Sequence, residues 1–118
     1  MARTVSPVKT LTNTSTKTLL YKVPSKNTGI WNMMYILGVS GTETVKVFWK
    51  DFTTTPATEY TVVYVKNQAD GNYTLISDAV VALKENDEIW IQNAGTSSTV
   101  TYIATLELRP AETIQFHG

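Results

Sequence analysis

Cysteine is absent from this 118-residue chain, and histidine occurs once, at His117. The first absence removes disulfides, thiolate nucleophiles and zinc–thiolate sites together. The second leaves no transition-metal constellation, and a lone histidine beside the terminus reads as a solvated tail residue that cannot be held in catalytic geometry. Charge is scarce and balanced, with ten basic and ten acidic residues and 17% charged overall. No electrostatic footprint for nucleic acid or an anionic membrane follows from it. Apolar runs are too short to span a bilayer. Met1-Ala2-Arg3-Thr4 lacks the apolar stretch of a signal peptide, so a protein made in the cytoplasm is expected.

What the chain does have is threonine, valine and aromatic residues, with 42% of residues hydrophobic. β-branched and aromatic side chains suit a pleated, half-buried surface. Short apolar runs recur between turn signals at intervals that predict an all-β, antiparallel sandwich of about eight strands, jelly-roll or immunoglobulin-like, in a single domain over 1–118. The expected strands lie near 4–11, 17–23, 30–39, 43–51, 59–65, 73–76, 88–93 and 99–108. Residues 1–7 and 110–118 are expected as a short arm and a tail. Asp70-Gly71 reads as a hairpin turn, and 79–83 as one helical turn.

Alternation assigns faces. In the last strand Val100, Tyr102, Ala104, Leu106 and Leu108 share one side. Ile89 and Ile91 oppose Glu88, Trp90 and Gln92; Val45, Val47 and Trp49 oppose Lys46, Phe48 and Lys50. The strand over 30–39 is apolar on both sides, Trp31, Met33, Tyr35 and Leu37 against Ile30, Met34 and Ile36.

Little here suits catalysis. The serines have no nucleophile-elbow context, and no glycine-rich phosphate loop occurs. Glu85, Asp87 and Glu88 form one acidic cluster, but without the spaced ligands of a calcium loop it reads as a solvated turn. No catalytic residue, cofactor or metal is therefore expected, and the protein is read as not an enzyme. The aromatic residues are the remaining candidates. Trp90, outward on a polar strand face, leads the interface candidates, followed by Trp31 and Phe48, since aromatic side chains dominate interface hot spots. The same rings could stack on sugars, which keeps a carbohydrate-binding module as an alternative. Substitution of a carboxylate such as Asp87 or Glu59 is expected to matter little.

Two stretches, Thr18-Leu19-Leu20-Tyr21-Lys22-Val23-Pro24-Ser25-Lys26-Asn27-Thr28-Gly29 and Leu83-Lys84-Glu85-Asn86-Asp87-Glu88-Ile89-Trp90-Ile91, resemble patterns in small bacteriophage virion structural proteins. In the second, Asn86 stands where glycine is usual, a place an asparagine tolerant of left-handed backbone can fill. The resemblance implies a β-sandwich in a phage particle and carries no catalytic residue across. It implies a capsid decoration (cement) protein on the major capsid protein, or else a tail, neck or fibre-associated component. Trp90, the two-faced strand over 30–39 and the scarcity of charge point to self-association, for which the resemblance implies a trimer. Neither nucleic acid nor membrane is an expected partner.

Overall fold

The computed structural model describes residues 2–68, 71–77 and 81–111, and for 66–68 the backbone alone. Ten strands form among these residues: β1 (Arg3–Val5), β2 (Val8–Thr12), β3 (Thr18–Lys22), β4 (Asn27–Ser40), β5 (Glu43–Asp51), β6 (Thr58–Gln68), β7 (Tyr73–Ile76), β8 (Val81–Leu83), β9 (Glu88–Asn93) and β10 (Thr99–Pro110). They make two antiparallel sheets. In the six-stranded sheet β10 and β4 lie side by side, with β1 and β2 both along the far side of β10 and β7 and β8 both along the far side of β4. The four-stranded sheet runs β3-β9-β5-β6.

Each outer rim of the larger sheet is thus one strand broken in two. Counting each broken rim once gives eight strands, ordered first-eighth-third-sixth in one sheet and second-seventh-fourth-fifth in the other. That interleaving is a jelly roll. An immunoglobulin-like sandwich would keep the first two strands in one sheet, whereas here they lie in different sheets.

The core is the space between the sheets. Along β10 the buried side chains are Val100, Tyr102, Ala104, Leu106 and Leu108, facing Ile89 and Ile91 of β9 and Val45 and Val47 of β5. Each fully buried aliphatic side chain contributes on the order of 1.5–3 kcal/mol over exposure. Gly41 turns the chain from β4 into β5 at φ +73, where a Cβ would meet the Ser97 carbonyl oxygen at 3.0 Å. Left-handed backbone and lack of space both demand glycine there.

The structure alters several expectations. Along β4, Trp31 pairs with Leu106 and Met33 with Thr105, so Asn32 is an extra, bulged residue. A bulge reverses alternation. Trp31 therefore faces the core with Met34 and Ile36, while Met33, Tyr35 and Leu37 face outward. The expected hairpin between β6 and β7 does not form, since the two strands belong to different sheets. Gly71 donates its N–H to the Gly38 carbonyl, and Gly38 donates to the Asn72 carbonyl, which ties the start of β7 to β4. Asp70 itself lies outside the described residues, as do 78–80, so the expected helical turn is described only at 81–83, which is strand β8. The segment expected as an N-terminal arm contains β1, paired along Leu106–Leu108 of β10. Most of the expected tail, 112–118, is outside the described residues.

Candidate interaction faces

On the outer face of the four-stranded sheet, β5 and β9 place Phe48 beside Trp90, and β6 sets Thr61 opposite Phe48. The connection from β2 to β3 crosses this face. Gln92 Nε2 donates to the Ser15 carbonyl at 3.1 Å, and Lys17 reaches Glu59 of β6 at 2.6 Å. On its way the Lys17 ammonium lies 4.3 Å from the Phe48 ring centroid. Phe48 is only 6% exposed yet stands outside the core cluster between the sheets. Its cover is this crossing segment and its strand neighbours.

The same motif recurs along the face. Lys46 lies 5.7 Å from the Tyr64 centroid, and Lys50 lies 5.6 Å from Phe52 and 5.8 Å from Trp90. Cations over ring faces gain roughly 0.5–1 kcal/mol at exposed sites, and the lysine stems shield apolar surface from water. Trp90 is half-buried and donates its Nε1–H to Glu88 at 2.8 Å.

The outer face of the six-stranded sheet is different. Its register aligns Val8, Ile103, Tyr35 and Leu75 in one row across the sheet, and Thr10, Thr101, Leu37 and Tyr73 in the next. Tyr35 stacks on Tyr73, centroids 5.5 Å apart. Thr10 and Thr101 share a hydroxyl hydrogen bond at 2.8 Å. Val8, Tyr73 and Leu75 are 56%, 62% and 48% exposed. Neither row contains a charged residue. Among the described residues of this face, charge appears at one end, where Glu107 receives Arg109 at 2.5 Å.

Buried carboxylates close both ends of the sandwich. Asp87 is 1% exposed and accepts from Trp49 Nε1 (3.1 Å), the Phe52 N–H (3.0 Å) and the Lys84 N–H (3.0 Å). At the other end Glu43 accepts from the Thr44 and Gly95 N–H groups and the Ser98 hydroxyl. Such donor sets replace the water a buried carboxylate loses. Beside Glu43, Tyr102 donates to the Asn93 side-chain oxygen and to the Gln92 carbonyl. Burial pushes the Tyr102 phenol far above its usual range, and the Glu43 charge acts in the same direction.

The acidic cluster expected as a solvated turn is therefore not one. Asp87 points inward, Glu85 accepts the Lys26 N–H at 2.6 Å, and Glu88 lies on the outer face with Trp90. Asn86 does adopt the left-handed backbone expected of it, at φ +69. Among the described residues no three His, Cys, Asp or Glu side chains converge as a metal site. One open cleft of about 370 Å³ lies at the Asp87 end, lined by Phe52, Lys84, Glu85 and Asn86 among others.

Of the interface candidates, Trp31 is fully buried, its Nε1–H donated to the Met33 carbonyl, and cannot meet a partner or a sugar. Phe48 is outward by alternation but already covered, so it supports the face rather than presenting it. Trp90 keeps a partly exposed edge on that face. Among the exposed residues that alternation alone did not single out are Val8 and Leu75. Their signal was a β4 strand apolar on both sides, which needs cover twice.

No family model matches the chain, and no curated protein matches it. Solved structures do share its fold. A chain of the acid-stable capsid of Helicobacter pylori bacteriophage KHP30 superposes with TM-score 0.60 at 13% identity, covering 98% of this chain and all (100%) of that one. A chain of the cyanophage Pam1 capsid gives TM-score 0.50 at 11% identity, covering 92% and 85%. A chain of the Bacillus endospore appendages, which form disulfide-linked pili, gives 0.57 at 12%, covering 94% and 89%. These likenesses establish an all-β, double-sheet architecture used by phage capsid chains and by a spore appendage.

Proposed function

We propose that this chain is a structural component of a bacteriophage particle, a capsid decoration protein that binds the shell through protein–protein contacts and catalyses nothing. The observation that carries the reading is the distribution of its surface. Exposed rings and aliphatic side chains lie on two broad sheet faces, and the polar residues that could concentrate chemistry are spent on closing the sandwich ends. The end-to-end likeness to a phage capsid chain supports the same reading, as do the sequence stretches resembling virion proteins.

The face assigned to the shell is the lysine–aromatic one, with Trp90 and Tyr64 as anchors. Truncating one such anchor typically costs an interface about 2 kcal/mol, close to thirtyfold in affinity. Repetition by symmetry makes modest contacts durable. The test is to band particles of the encoding phage, separate heads from tails, and weigh the chain in each fraction. Its presence on heads at stoichiometric copy number, reduced by Trp90→Ala or Tyr64→Ala, is the expected result. Confinement to tails would move it to a tail, neck or fibre position, and absence from particles would end the virion reading.

A further inference from the structure

We propose that the outer face of the six-stranded sheet is covered by the same face of a second copy of this chain, stacked with its strands running in the reverse direction. This inference concerns the isolated protein and does not rest on the virion reading.

Three observations select the occupant. The first is the chemistry of the face: its two central rows, from Val8 to Leu75 and from Thr10 to Tyr73, offer methyls, rings and hydroxyls without charge. An ionic partner would gain nothing there and would lose hydration. Contiguous apolar surface of this kind marks an interaction site. The second is area. Four strands about 4.8 Å apart and twelve residues of roughly 3.3 Å each give a face of about 19 by 40 Å, near the roughly 800 Å² per partner of a stable interface.

The third is where the charge sits. Among the described residues of the face, the charged side chains Glu107 and Arg109 occupy the end reached last by β10. Consider a two-fold axis lying between the copies and crossing the strands at the Ile103 row. It sets Val8 over Val8, Ile103 over Ile103 and Leu75 over Leu75. It also sets each Glu107 over the Thr99 end of the other copy, so the two Glu107 carboxylates lie apart. An axis running along β10 would place Glu107 on Glu107 and is disfavoured. The isologous packing follows from the face being its own complement.

The experiment is sedimentation velocity from micromolar to several hundred micromolar, with the full chain. A dimer is expected, weakened at least about tenfold by Leu75→Glu or Val8→Glu, each of which sets two carboxylates against one another, and unaffected by Tyr64→Glu on the opposite sheet. Both residues are on rim strands with exposed side chains, so circular dichroism should report folded variants. The chain has no thiol of its own. Leu75→Cys should therefore cross-link to its copy through a bismaleimide spanning the ~10 Å between stacked sheets, whereas Thr61→Cys should not. This second readout stands even if a glutamate variant fails to fold. A monomer at every concentration, or an assembly indifferent to Leu75→Glu and sensitive to Tyr64→Glu, overturns the proposal.

Discussion

On the outside of the four-stranded sheet, Lys17, Lys46 and Lys50 lie over the rings of Phe48, Tyr64, Phe52 and Trp90. On the outside of the six-stranded sheet, Val8, Tyr73 and Leu75 meet solvent without any such cover. The two faces are built from similar strands, and what separates them is the side chains that alternation leaves outward. Lysine stems shield apolar surface while the ammonium stays hydrated, so the first face is tolerable in water alone. The central rows of the second have threonine and tyrosine hydroxyls to soften them. One face can therefore wait for a partner, whereas the other gains by finding one.

The comparison can be broken by substitution, and the largest effect should come from the residue that anchors the first face from below. Asp87 holds Trp49 and the Phe52 backbone. Asp87→Ala would strand three donors in a dry site and should cost about 3 kcal/mol or more in urea denaturation. Glu59→Ala, removing a half-exposed ion pair with Lys17, should cost under about 1 kcal/mol. Equal effects would show that the buried donors find water instead.

A middle-sized effect should separate the faces directly. Phe48→Ala removes a ring that is outward yet covered, and should destabilise by roughly 2–3 kcal/mol. Leu75→Ala removes exposed surface and should change monomer stability by less than about 1 kcal/mol. If Leu75→Ala proved the costlier change under conditions where the protein is monomeric, the two faces would not differ as described.

The smallest effect is a control that touches neither face. Tyr102 keeps its proton in the folded state well beyond the point at which an unfolded tyrosine loses it. Above about pH 10 the unfolded chain then binds fewer protons than the folded one, so this stability is complete below that pH and is lost as pH rises, by at most about 1.4 kcal/mol per unit. Tyr102→Phe should be less stable at neutral pH, through loss of the bonds to Asn93 and Gln92, yet show a shallower alkaline decline. A parallel decline would place the alkaline sensitivity elsewhere.

Much of this was legible from residue order, and the exceptions share a cause. β5, β7 and β9 begin and end where alternation places them, and Trp90 faces outward because Ile89 and Ile91 face in. The double-sheet class followed from turn spacing. Alternation failed at Asn32, where one bulged residue reversed the sides of β4 and took Trp31 into the core. A bulge is set by the partner strand, which nothing near Asn32 reveals. Phe48 was read correctly as outward, but its cover comes from Lys17, far away in the chain. Asp70-Gly71 promised a hairpin because a turn specifies a reversal and not the sheet to which the chain returns. Asp87 looked like any turn aspartate, since two of its three donors come from β5 and its following loop.

The pairing of β1 with β10 has a practical outcome for anyone labelling or displaying this protein. Arg3 lies opposite Leu108, and Ala111 is held at the Lys26 carbonyl, so both ends of the described chain emerge beside the Asp87 turn. The Gly41 and Gly95 turns sit at the opposite pole, together with the buried Glu43. Cargo attached beside Arg3 or Ala111 would leave that pole unobstructed. A reporter inserted at Gly95 instead would displace the Glu43 contacts, whereas attachment beside Arg3 or Ala111 leaves the sandwich closed.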